Sequence, residues 1–135
     1  SKKKIYARPA KKNMAKKILF IEDEPTLQKS IEKALKERGY CLVSAIDGES
    51  GVLVAKKELP DLILLDLILP KKDGFEVLEE LKADEKTAKI PVMILTNLEG
   101  SQDVERALAL GATTYLVKAN YELEDVVAKV DKILK

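Results

Sequence analysis

The sequence predicts a doubly wound α/β domain, a three-layer sandwich in which one parallel five-stranded sheet carries helices on both faces. Two observations support this. Five short aliphatic runs, KILFIE (17–22), CLVSAI (41–46), DLILLD (61–66), PVMILT (91–96) and TTYLV (113–117), lack polar alternation, as strands covered on both faces do. Longer segments with helical spacing lie between them, and such β/α alternation calls for a parallel sheet joined by right-handed crossovers.

The helices read in order. Leu27, Ile31, Ala34 and Leu35 form one stripe, with Gly39 as its C-cap candidate. A weaker helix covers 48–57. Phe75, Leu78 and Leu81 form the next stripe, starting after Asp73-Gly74, and Val104, Ala107 and Leu108 form another, stopped by Gly111. The last is the clearest: Leu123, Val126, Val127, Val130, Ile133 and Leu134.

Composition bounds the chemistry. The chain has 135 residues, enough for one domain with a real core, and its longest apolar runs fall far below membrane-spanning length. A single cysteine, Cys41, excludes an internal disulfide and fits a reducing compartment. Cys41 itself reads as a small buried hydrophobe at a strand start. No secretory signal pattern opens the chain, so the cytoplasm is the expected location. There is no histidine, which removes imidazole bases, imidazole metal ligands and any phosphohistidine of the chain's own. Residues 1–17 carry eight Lys/Arg and no acid, leaving 16 basic against 23 acidic residues beyond them, a net of −7. Residues 1–15 are therefore read as a basic leader, disordered or left from expression, with MAKKILF at Met14 as a natural start and 16–135 as the folded domain.

The informative polar residues stand at the carboxyl ends of the predicted strands, where doubly wound sheets place their sites. The first strand ends in Glu22-Asp23-Glu24, the third in Asp66, the fourth in Thr96, and the fifth leads into Lys118. In a sheet of order 2-1-3-4-5, strands one and three are neighbours roughly 4.8 Å apart, which brings Glu22 and Asp23 against Asp66. Three carboxylates so close repel one another unless a cation joins them. An all-oxygen set of this kind suits Mg²⁺, with a place left for a phosphate oxygen. Lys118 adds a point charge and Thr96 a hydroxyl, and the set as a whole fits phosphoryl transfer with Asp66 as the nucleophile. Glu24-Pro25 reads differently, as the cap and first turn of a helix.

FIEDE after the first strand, LLDLILPKKDG around the third, ILT at the fourth and YLVK at the fifth, in this order and spacing, resemble the receiver domain of two-component response regulators, a CheY-like, flavodoxin-like (βα)5 family, over about residues 16–135. The resemblance implies a phosphoacceptor at Asp66, Mg²⁺ held by Asp23, Asp66, the backbone carbonyl of Ile68 and, through water or at longer reach, Glu22. It implies that Thr96 and Lys118 bind the phosphoryl group and that Tyr115 is a switch aromatic. It implies phosphorylation by a sensor histidine kinase or histidine phosphotransfer protein, and output through the face of the fourth helix, fifth strand and fifth helix, to a partner or to a second copy. Such a domain is expected to be no turnover enzyme and to bind neither nucleic acid nor membrane itself. With no output module after the last helix, a stand-alone signalling protein is the first expectation and a receiver excised from a longer DNA-binding regulator the second.

Other functions fit less well. A haloacid dehalogenase-type phosphatase wants a second Asp where Ile68 stands. A flavin carrier needs an anion-friendly loop where Glu22-Asp23-Glu24 stands, and a dinucleotide or P-loop enzyme needs glycines absent from that turn. The remaining rival is a receiver-like docking module that takes no phosphate. All five site positions are filled, which argues against it, and of two departures from the family pattern only the first hints in its favour. Ala119 replaces the usual proline after the lysine; a cis bond before a non-proline costs roughly 2.5–4 kcal/mol, so the Lys118–Ala119 bond is either strained or trans. Asn97 stands where a small residue is usual and would narrow access.

Ile68, two residues past Asp66, and Leu98, two past Thr96, are apolar and flank the path of an attacking water. A long-lived phosphoryl group is therefore expected. Ile68→Asn or Leu98→Glu should shorten its lifetime severalfold when decay is followed by phosphate release, and equal lifetimes in all three proteins would rule out this role.

Overall fold

The computed structural model describes residues 15–135; the basic leader lies almost wholly outside the described residues. Ten regular elements alternate: β1 (Lys17–Ile21), α1 (Pro25–Glu37), β2 (Cys41–Ala45), α2 (Gly48–Glu58), β3 (Leu62–Leu65), α3 (Gly74–Ala83), β4 (Val92–Thr96), α4 (Ser101–Ala109), β5 (Thr114–Val117) and α5 (Leu123–Leu134). A 3-10 turn, Lys118–Asn120, separates β5 from α5. All strand pairs are parallel, in the order β2-β1-β3-β4-β5, as expected.

The sheet divides the core into two layers because successive strand residues point to opposite faces. Ile18, Phe20, Leu62, Leu64, Met93 and Leu95 meet Ile31 and Leu35 of α1 and Val126, Val127 and Val130 of α5. Leu19, Ile21, Ile63, Leu65 and Ile94 meet Val52 and Ala55 of α2, Val77, Leu78 and Leu81 of α3, and Ala107 of α4. β3, at the centre, is buried throughout, which explains its uninterrupted Leu-Ile-Leu-Leu.

The helix signals hold where backbone chemistry sets them. Gly39 (φ +94) and Gly111 (φ +109) follow the ends of α1 and α4 in the left-handed region. Asp73 opens α3 with a reciprocal capping box, its carboxylate accepting from Glu76 N–H while the Glu76 side chain accepts from Asp73 N–H. Glu24 caps α1 by accepting from Thr26 N–H at 2.7 Å, with Pro25 in the first turn.

Four expectations need correction. Cys41 is exposed, because β2 is an edge strand and Cys41 begins it at the amino end, beyond the helices that cover the sheet. β2 and β5 are covered less fully than the inner strands for the same reason. Ile46 lies past the end of β2 and is exposed. Leu108 and Leu123, read as core positions of their helices, face outward at 47% and 40% exposure, so only Ala107 anchors α4 in the core and α5 is seated by its valines.

α3 sits where it does because Gly74 has no side chain. A Cβ there would stand 2.5 Å from both the Asp66 carbonyl oxygen and Leu67 Cα, backbone atoms that cannot swing away. Gly74 N–H also donates to the Leu67 carbonyl at 2.9 Å, closing the loop that leaves Asp66. Gly74→Ala is accordingly expected to lower stability by about 1–3 kcal/mol, as overpacking does, measured by urea unfolding; an unchanged midpoint would show that the loop relaxes freely.

Candidate functional site

The pocket is built at the carboxyl edge of the sheet by continuation of its ladders. Glu22 N–H donates to the Ala45 carbonyl at 3.0 Å, and Asp66 N–H to the Ile21 carbonyl at 3.1 Å, so the residue after each strand is still held in register. β1 and β3 are neighbours, and their exits place Glu22, Asp23 and Asp66 with one carboxylate oxygen apiece within 4.8 Å of one another. Glu22 and Asp66 are buried and Asp23 is exposed, so the cluster opens to solvent on the Asp23 side.

Lys118 reaches this cluster from β5. Its Nζ lies 2.8 Å from Glu22 Oε1 and 3.0 Å from Asp66 Oδ2, with 15% of its side chain exposed. The Asp66 contact is a hydrogen bond, and the buried Glu22 Oε1 is held by the ion pair with the same ammonium. The remaining carboxylate oxygens are committed locally: Glu22 Oε2 accepts from Glu24 N–H at 3.1 Å and Asp66 Oδ1 from Ile68 N–H at 3.2 Å.

The Lys118–Ala119 peptide is trans, since no cis bond occurs among the described residues. The lysine therefore reaches Asp66 without the family's proline, through the short 3-10 turn that follows β5.

Negative charge exceeds positive in the pocket. Burial raises the Glu22 carboxyl above its ordinary value; the Lys118 ammonium pulls it back, while the Asp66 charge pushes it further up. Burial alone would lower the Lys118 pKa, but the Glu22 and Asp66 carboxylates outweigh it and hold the ammonium above its usual range. Two buried acids thus share one ammonium. A hard, oxygen-seeking cation fits this donor set, because it would meet three converging carboxylates whose negative charge one ammonium does not offset.

The other predicted residues surround this centre. Thr96, fully buried, ends β4 beside β3, and its hydroxyl accepts from Leu98 N–H at 3.5 Å; among the described residues no hydrogen bond joins it to Asp66. Tyr115, half-buried on β5, donates its hydroxyl to the Leu98 carbonyl at 2.8 Å, fastening the loop between β4 and α4. Burial, with the charges of Asp103 and Asp66, raises the Tyr115 phenol above its ordinary value. Ile68 is 53% exposed on the rim, Leu98 is half-buried and Asn97 exposed. Reading the sequence for chemistry overlooks Gln28, which is buried and hydrogen-bonds main-chain carbonyls at this end of the sheet. Its signal was a polar residue at core spacing with Ile31 and Leu35.

Fold and pocket together define a class: a doubly wound α/β domain whose centre is a carboxylate cluster facing one ammonium at the carboxyl edge of its sheet, the architecture of a signal receiver. The chain belongs to the response regulator receiver domain family, which residues 18–131 match. It is similar to the DNA-binding dual master transcriptional regulator RpaA of Synechocystis sp. (41% identity over 119 residues, 88% of this chain and 49% of that protein). It is similar as well to the alkaline phosphatase synthesis transcriptional regulatory protein PhoP of Bacillus subtilis (37% over 122 residues, 90% and 50%). Among solved structures, the receiver domain of sensor histidine kinase PA1611 from Pseudomonas aeruginosa PAO1, with a magnesium ion coordinated in its active-site cleft, matches with TM-score 0.80 at 30% identity, covering 89% of this chain and 98% of that one. The chain spans about half the length of the curated relatives it matches. No helix among the described residues is long and apolar enough to cross a membrane.

Removing the ammonium leaves two buried carboxylates facing each other. Lys118→Met is expected to cost about 3–5 kcal/mol at neutral pH without divalent cation, as breaking a buried ion pair does. A carboxyl whose folded pKa is raised binds more protons folded than unfolded, so its effect on stability worsens as pH rises and fades on acidification. The Lys118→Met deficit should therefore shrink as pH falls from the raised Glu22 pKa toward the ordinary carboxylate range, as Glu22 takes up a proton, and be smallest below that range; a deficit independent of pH in urea titrations would refute this origin.

Proposed function

We propose that this domain accepts a phosphoryl group on Asp66 from a phosphohistidine of a sensor histidine kinase or histidine phosphotransfer protein. The observation that carries the reading is the convergence of Glu22, Asp23 and Asp66, with Lys118 bridging two of them, at the exit of the central strands. An Asp66 carboxylate oxygen attacks phosphorus; the O–P bond forms as the P–N bond breaks, and the departing imidazole keeps the bonding electron pair. Lys118, already within hydrogen-bond reach of Asp66, pairs with the added phosphoryl oxygens, and the Thr96 hydroxyl turns from Leu98 N–H to donate to them. Glu22, Asp23, Asp66 and the Ile68 carbonyl would hold Mg²⁺, which when bound offsets the negative charge gathering around the transferred group. The domain is an acceptor in this scheme and catalyses no turnover beyond gain and loss of its own phosphoryl group.

The output follows from what Lys118 and Thr96 are attached to. Both stand at ends of β4 and β5, and Tyr115 links β5 to the loop before α4. A shift of these residues toward a phosphoryl group changes the face of α4, β5 and α5, which then binds a partner or a second copy. The domain itself touches neither nucleic acid nor membrane in this reading, and it works in the cytoplasm. The match to about half of a DNA-binding transcriptional regulator favours one setting, in which the phosphoryl state of such a receiver controls transcription.

Intact mass after incubation with a small-molecule phosphodonor tests the central step. One labile phosphoryl group should appear with Mg²⁺ and be absent without it and in Asp66→Asn. No gain with any donor would overturn the proposal in favour of phosphate-independent docking.

A further inference from the structure

Gln28 lies on the buried side of α1, at 8% exposure, in line with Ile31 and Leu35. A core-spaced position of this kind ordinarily carries an apolar side chain. Its amide Nε2 donates to the Glu22 carbonyl at 3.1 Å and to the Ala45 carbonyl at 3.4 Å. Both partners are acceptors only, so the amide nitrogen has to face them. The Ala45 carbonyl also accepts Glu22 N–H, the bond that carries the β1–β2 ladder one residue past the strand.

We infer that Gln28 is a positioning residue for the acidic pocket, holding the main chain of Glu22 so that the Glu22 and Asp23 carboxylates converge on Asp66. It rests on the reading of Glu22 and Asp23 as cation ligands. The hydrogen bonds around it form a closed circuit. Gln28 N–H donates to the Glu24 carbonyl at 3.1 Å, Glu24 N–H donates to Glu22 Oε2 at 3.1 Å, and the Gln28 side chain returns to the Glu22 carbonyl. The turn between β1 and α1 is thus pinned at both ends by polar side chains, one of them in the pocket. Once the Glu22 carbonyl is fixed, the backbone direction into Asp23 is fixed with it, and so is the approach of the exposed Asp23 carboxylate to the two buried ones. Groups that orient metal ligands from behind commonly change affinity 10–100-fold when lost.

Three variants separate positioning from packing. Gln28→Leu keeps the volume and removes the donor; Gln28→Asn keeps the polarity and loses the reach; Gln28→Arg supplies N–H donors on a charged fork of longer reach. Mg²⁺ affinity is read by titration calorimetry, and exchange of the Glu24 amide proton, which reports the Glu24 N–H to Glu22 bond, by NMR without Mg²⁺. Leu and Asn should weaken Mg²⁺ binding about tenfold and speed Glu24 exchange, and Arg should restore both. Unchanged affinity and exchange in Leu, or in Asn should Leu not fold, would overturn the inference. So would a loss in Arg as large as in Leu, which would mark a packing role. A wild-type protein that binds no Mg²⁺ defeats the cation reading alone, and Glu24 exchange then still decides for or against Gln28.

Discussion

Two buried carboxylates sharing one ammonium is the constraint on which the rest of the structure depends. Glu22 and Asp66 lie at the ends of adjacent central strands, where burial would ordinarily neutralise or exclude them, and Lys118 touches both. Such an arrangement survives only if all three groups are held from behind, because side chains free to move would separate the like charges. The backbone supplies that hold. The strand ladders run one residue beyond β1 and β3, capturing the main chains of Glu22 and Asp66, and Gly74 lets α3 press directly on the Asp66 carbonyl. The fold thus keeps an electrostatic configuration that the isolated residues would not adopt.

The same features explain what could be read from the sequence and what could not. The strands were legible because the inner ones are almost wholly apolar and acids stand where those runs stop, whereas their order came with the fold family that the motifs resemble. The pocket was legible for the same reason: Glu22, Asp23, Asp66, Thr96 and Lys118 all follow apolar runs, and parallel strands place their exits on one edge. The errors fall where burial depends on neighbours that periodicity cannot supply. Cys41 begins an edge strand and Ile46 lies just past its end, and Leu108 and Leu123 fit a helical stripe yet are exposed. Gln28 shows the converse: a polar residue on a core stripe signals a buried main-chain acceptor, but which acceptor it serves is fixed only by the packing of α1 against the end of the sheet.

The Lys118–Ala119 bond follows the local rule for a non-proline, and the tertiary contacts of Lys118 form on that backbone. Replacing proline left two backbone geometries open, and only the structure distinguishes them. The trans peptide leads into a single 3-10 turn, with Tyr121 N–H returning to the Lys118 carbonyl at 3.4 Å, and the lysine still finds both acids. A long side chain on a flexible stem tolerates a change in the backbone beneath it when the charges waiting for it are strong enough.

The distribution of packing around the pocket has a further consequence. α1, α2, α3 and α5 each seat several residues in the core, whereas α4 seats Ala107 alone. Its other fastenings are polar or edge contacts: Tyr115 to the Leu98 carbonyl before it, and Arg106 over the Phe75 ring at 4.1 Å within it. A cation over an aromatic face is worth only about 0.5–1 kcal/mol at an exposed site, and a single hydrogen bond about as much, so α4 can shift at far less cost than its neighbours. Both fastenings lead back to the pocket. Phe75 follows Gly74, which abuts Asp66, and Tyr115 on β5 stands three residues before Lys118, which directly follows that strand. The element that moves most cheaply is therefore tied to the two residues whose surroundings a phosphoryl group on Asp66 would alter. That coincidence of loose packing and direct linkage would give a small electrostatic change at the sheet's edge a mechanical outlet on the surface.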